Sequence, residues 1–205
     1  MKTYMAVMIV VVALLVVGCQ PPTKNIDVAN DEGKAVMELD YRDFDKAATD
    51  LVQSMLSQGV FKKPGGGRYV VTTAKVVNDT MQRIDTEQLT FKIEQELMNS
   101  GQVAMSAAVG GKGAPDDMTY QMRDVRDSSK SDEFKQSTMP GKGQIIAPEL
   151  SISGKILQRN VRYDSSTQQV EYYFQLRVSD IASGVVTWQK ETLMGKRGSK
   201  KVVPW

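Results

Sequence analysis

The stretch Val170-Glu171-Tyr172-Tyr173-Phe174-Gln175-Leu176-Arg177-Val178 alternates apolar and polar residues without a break. Val170, Tyr172, Phe174, Leu176 and Val178 therefore share one face of a strand, with Glu171, Tyr173, Gln175 and Arg177 on the other, partly covered by helices. Upstream, Leu150, Ile152 and Ile156 alternate in the same way, and the apolar parity then passes to Leu157, Val161 and Tyr163. A parity change inside one strand predicts a bulge near Ile156 and Leu157. Residues 164–168 carry a hairpin-turn signal, and Ser183-Gly184 closes another turn before residues 185–194, where Val186 and Trp188 share a face. The C-terminal third is thus a β-meander.

Toward the N-terminus the period changes. Phe44, Ala47, Ala48, Leu51, Val52 and Met55 recur at three- and four-residue spacing, predicting an amphipathic helix that Gly59 stops. The β-branched run at 69–77 predicts a central strand. A second helix starts at Asp85, with Gln88 as partner in a capping box and Ile84 stapled onto Leu89; Leu89, Ile93 and Leu97 line its inner face. Residues 103–109 read as a short strand, and Met118, Met122 and Val125 suggest a third helix beginning near Asp116. Residues 128–143 are polar and punctuated by Gly and Pro, an exposed excursion. Helices early and a meander late predict an α+β fold, a small mixed or antiparallel sheet flanked by helices.

The first nineteen residues have a different character. Lys2 precedes an uninterrupted apolar run from Met5 to Val17, followed by Gly18 and Cys19. The run is shorter than the roughly 17–25 residues that span a bilayer, and it has the anatomy of a cleaved secretory signal. Val16-Val17-Gly18-Cys19 resembles the bacterial lipobox, in which the peptide is cut before a cysteine that becomes acylated. The competing reading is an uncleaved anchor helix with an inert cysteine. The coincidence of signal, small residue and sole cysteine favours lipidation. Gln20, where an Asp resembles an inner-membrane retention signal, favours the outer membrane. The expected organisation is a signal peptide at 1–18, a lipidated Cys19 with a flexible tether at 19–35, and a globular domain at 36–205, held at the outer membrane and facing the periplasm.

Composition narrows the chemistry. The chain of 205 residues has 26 basic and 24 acidic side chains, one cysteine and no histidine. That removes His-based nucleophile pairs, His-ligated zinc and intrachain disulfides, and leaves no dense basic stripe for nucleic acid. Gly65-Gly66-Gly67, Gly111-Lys112-Gly113 and Gly141-Lys142-Gly143 lack the Lys-Ser/Thr ending of a phosphate loop, and Asp116-Asp117 reads as a helix cap. No catalytic residue, metal ligand, cofactor or small-molecule substrate is expected. The candidate binding residues are Arg159, Arg162 and Tyr163, on the hairpin beside the alternating strand, of types enriched at interface hot spots. Ordinary solvated strand ends are the alternative for them.

Four ordered motifs carry a family resemblance. They are Leu39-Asp40-Tyr41-Arg42-Asp43-Phe44, the stretch from Asn78-Asp79-Thr80 through Asp85-Thr86-Glu87-Gln88-Leu89 to Asn99-Ser100-Gly101, then Ala147-Pro148-Glu149-Leu150-Ser151-Ile152-Ser153-Gly154, and Gly184-Val185-Val186-Thr187-Trp188. Together with the lipobox they resemble the penicillin-binding protein activator LpoB family. The resemblance implies a fold similar to the N-terminal domain of TolB. It also implies an outer-membrane lipoprotein that binds and stimulates a class A penicillin-binding protein and so regulates peptidoglycan synthesis. Two features depart from the family pattern: the tether is short, and the 128–143 excursion replaces a segment that usually continues helically. A structural lipoprotein that scaffolds an envelope complex without altering catalysis fits the anchor and tether equally well.

Overall fold

The structure is a computed structural model that describes residues 27, 33 and 35–202. The chain divides into two units, Met1–Gly33 and Lys34–Trp205. Asp27 and Gly33 are the described residues of the first, and every helix and strand below belongs to the second. Cys19 and most of the tether lie outside the described residues.

Helix α1 (Tyr41–Ser57) forms where the 3.6-residue period places Phe44, Ala47, Ala48, Leu51, Val52 and Met55 on one buried face. Asp40 caps it. Its carboxylate accepts the Arg42 and Asp43 amides at 2.9 and 3.3 Å, and Asp43 returns the bond to the Asp40 amide at 2.8 Å. The helix stops before Gly59, whose φ of 69° lies in the left-handed region that L side chains avoid. Helix α2 (Thr86–Asn99) buries Leu89, Ile93 and Leu97, as the spacing requires. Its cap is Asp85, but the bond runs to the Glu87 amide at 2.9 Å, without the reciprocal Gln88 bond of a capping box. Helix α3 (Met118–Arg126) buries none of its side chains; the Asp116 carboxylate accepts the Met118 amide at 2.9 Å at its start. Two single 3₁₀ turns, Ser129–Glu133 and Gln136–Thr138, follow in the polar excursion.

The five strands are β1 (Tyr69–Asp79), β2 (Val103–Met105), β3 (Leu150–Arg162), β4 (Thr167–Asp180) and β5 (Val186–Ser199). They form one mixed sheet in the order β2-β1-β3-β4-β5, with β1 parallel to both neighbours and β3, β4 and β5 mutually antiparallel. The fold is α+β. β1 is interior, although β3 holds the middle place. β2 ends at Met105, short of the expected Val109, because the chain turns away there: the Ser106 hydroxyl accepts the Ala108 and Val109 amides, and the Gly111 amide rejoins β1 at Thr73 O, 2.8 Å away.

Helices α1 and α2 pack on one face of the sheet. Val170, Tyr172, Phe174, Leu176 and Val178 join α1, α2, Val71, Leu150, Ile152 and Ile156 in a single core. Tyr172 and Phe174 are fully buried, each worth about 2–3 kcal/mol of apolar transfer. Phe44 meets Phe174 edge-on at 6.1 Å. The Tyr172 hydroxyl donates to Met37 O at 2.9 Å and accepts from the Gln82 amide, and burial pushes its pKa up to about 12.

The expected bulge at Ile156 and Leu157 is absent. β3 and β4 pair in unbroken register from Leu150 opposite Asp180 to Arg162 opposite Gln168. The parity change has another origin: beyond Ile156 the inward positions become Gln158 and Asn160, while Leu157, Val161 and Tyr163 stay on the outer face. A register shift does occur in β1, between Thr73 and Val76.

Candidate partner interface

Cross-strand register on the outer face builds the site. Leu157 lies opposite Tyr173 and Tyr173 opposite Leu193; Arg159 lies opposite Glu171; Val161 lies opposite Gln169 and Gln169 opposite Arg197. Tyr163 follows β3, and the Arg197 guanidinium carbon stands 3.8 Å from its ring centroid, a cation–π stack. Tyr163 and Leu193 are each 56% exposed.

Hydrogen bonds tie the polar side chains of this face together. The Tyr173 hydroxyl donates to Glu171 Oε2 at 2.6 Å, and the Gln169 amide donates to Glu171 Oε1 at 2.8 Å. The Tyr173 bond, then the Gln169 bond and the Arg159 charge, hold the Glu171 carboxyl below the usual carboxylate range. The same carboxylate pushes the Tyr173 phenol up. Arg197 also donates to Gln169 Oε1 at 2.6 Å. The result is a surface of Leu157, Tyr163, Tyr173, Leu193, Arg159 and Arg197 in which Tyr173, Arg197 and Tyr163 are held by these bonds and the cation–π stack. Side chains already held in place cost less entropy when a partner docks.

Of the residues singled out in sequence, the structure brings Arg159 and Tyr163 together on this face. Arg162 has the opposite parity, opposite Gln168, and alternation turns it to the other side of the ladder. The sequence predicts Tyr173, Gln175 and Arg177 partly covered by helices, and none of the three lies on the helix side. Tyr173 is half-buried on the open face, because both core helices pack on the side that carries Tyr172 and Phe174. Tyr173, Leu193 and Arg197 complete the surface beyond the sequence candidates. Odd parity along β4 and β5 is the only sequence signal for them. Along β5 and just beyond it, Lys196 is tied to Asp43 and to Glu38 O, and Lys200 donates to Asp164 O at 2.6 Å.

Among the described residues, no group of three or more His, Cys, Asp or Glu side chains could hold a metal ion, and no helix is long and apolar enough to cross a membrane. The lipidation candidate Cys19 lies outside the described residues.

No curated protein matches the chain. Among solved structures it is similar to the LpoB C-terminal domain from Escherichia coli at 14% identity and a TM-score of 0.43, covering 74% of this chain and 98% of that one. The corresponding domain from Salmonella enterica gives 12% identity and a TM-score of 0.41, with coverage of 74% and 98%. The solution structure of E. coli LpoB gives 12% identity and a TM-score of 0.39, with coverage of 88% and 81%. The family model described as peptidoglycan-synthase activator LpoB matches residues 43–194, from the third residue of α1 into β5. That match covers well over half of the 205 residues, and the chain belongs to the LpoB family.

Proposed function

We propose that the mature chain is an outer-membrane lipoprotein, anchored through acylated Cys19 and facing the periplasm, that binds a class A penicillin-binding protein and stimulates its synthesis of peptidoglycan. The observation that carries the reading is the family match over residues 43–194. The lipobox-like Val16-Val17-Gly18-Cys19 supports the anchor, and the open face with Arg159, Tyr163, Tyr173 and Arg197 supports a protein partner.

In this reading the chain contributes no chemistry of its own. An activator raises a rate only if it binds the active conformer of its target more tightly than the inactive one, and each tenfold shift needs about 1.4 kcal/mol of differential binding. A rigid sheet suits that task, since a surface that does not deform transmits its preference to the partner. The test is a titration of the mature chain into a cognate class A synthase, following glycan polymerisation. The rate is expected to rise and saturate. Saturable binding with an unchanged rate would instead make the chain a scaffold.

A further inference from the structure

At the other end of the same outer face the sheet forms a concave groove of about 570 Å³, lined from β1, β3, β4 and β5 by Lys75, Ser153, Lys155, Gln175, Arg177 and Gln189. Each side chain has a structural reason to be there. Lys155, Gln175, Arg177 and Gln189 point outward by simple alternation from the buried Ile156, Phe174, Leu176 and Trp188. Lys75 would point inward by the same rule, counted from buried Thr73. The extra residue between Thr73 and Val76 reverses it: Val76 is buried and Lys75 exposed. Gly111 holds that bulge, its backbone lying so close that a Cβ there would sit 2.3 Å from Lys75 N and 2.7 Å from Ala74 C.

The charges of the groove are one-sided. Lys155 pairs with Asp79 at 2.6 Å, and Glu191, the carboxylate in the lining, accepts the Gln175 amide at 2.7 Å. Lys75, Arg177 and Lys190, which also lines the groove, enter no ion pair among the described residues. The groove therefore presents three cations outside any ion pair, flanked by amide groups, the donor set that takes carboxylates. Its dimensions select among carboxylate carriers. The volume is that of a small-ligand cleft and not of a protein footprint. Four strands span about 14 Å at the usual spacing, which is about the length of four extended residues.

We propose that this groove binds the free carboxylates of an uncrosslinked peptidoglycan stem peptide, so that the chain contacts the polymer as well as the enzyme that makes it. The assignment rests on the activator reading for the identity of the polymer, while the groove's preference for a short carboxylate-bearing chain rests on its own geometry.

The experiment measures binding of a purified disaccharide tetrapeptide to the mature chain by calorimetry or chemical-shift perturbation. The same ligand with amidated carboxyls and poly-glutamate serve as comparators. The wild type is expected to bind the free-acid ligand, with shifts confined to β1, β3, β4 and β5. K75Q and R177Q, both at exposed positions, are expected to unfold at the wild-type temperature and to weaken binding about 10-fold each, and amidation of the ligand should do the same. Absence of binding, equal affinity in the variants, equal affinity for the amidated ligand, or equal competition by poly-glutamate would each overturn the proposal. Polymerisation by the synthase is assayed separately. A chain that binds the free-acid ligand with the expected variant pattern but leaves the synthase unchanged supports the groove and sinks the activator reading.

Discussion

Asp164 shows how much structure one short side chain sets. Its carboxylate accepts the Ser166 and Thr167 amides at 2.8 and 2.6 Å and closes the turn that joins β3 to β4. The Ser166 amide bond is the first cause, followed by Thr167, of a pKa lowered to about 2. The folded state thus holds the anion more firmly than the unfolded chain does. The stabilisation is present above the ordinary value of 3.8 and is lost as pH falls from there through about 2. Unfolding curves between pH 5 and pH 2 should show stability falling with acid in the wild type and a shallower slope in D164N. An identical slope would remove Asp164 as a source. The turn itself was legible, because Asp-Ser-Ser-Thr is turn chemistry between two alternating runs. The stack of Arg197 on Tyr163 was not, since it depends on a cross-strand register that pairs positions far apart in the chain.

At the level of elements, the sequence is most readable where burial is one-sided. Clean alternation gave β4 its inner face, and three-four spacing gave α1 and α2 theirs, because in each a single face meets the core. The parity change in β3 was ambiguous between a bulge and a change in which face carries the apolar residues, and local sequence does not distinguish them. The real bulge hides in Thr72-Thr73-Ala74-Lys75-Val76-Val77, a run with no alternation, and it is held from outside by Gly111. The Asp40 capping box of α1 was missed because the apolar period starts only at Phe44. G111A tests the brace: a methyl 2.3 Å from a backbone nitrogen forces β1 and the 110–115 loop apart. The expected cost is about 1–3 kcal/mol of stability, read from denaturant midpoints at unchanged m-value. A neutral G111A would mean that the loop yields and that the bulge stands without it.

At the scale of the whole molecule, the proposed function requires an anchor, a tether and an open binding face to work together. About 17 residues lie between Cys19 and Met37, where the chain is already bonded into the domain, a reach of at most about 60 Å extended and about 20–25 Å as a flexible coil. The domain would then be kept near its membrane, and an inner-membrane synthase would have to project toward it. Deleting residues 21–33 while keeping Cys19 and Gln20 is expected to abolish function in cells and leave binding by the purified protein intact. Wild-type behaviour of that deletion would place the partner at the outer membrane itself. The central claim, that the domain activates a synthase through its open sheet face, is tested most directly by the glycan polymerisation rate of a class A synthase across a titration of the mature chain and its R159A/Y163A variant. The account predicts a saturable rise with the wild type, and the same rise displaced about tenfold or more to higher concentration with the variant, the scale of a two-residue hot spot. A flat rate with the wild type at saturating binding, or superimposable curves for the two proteins, would contradict it.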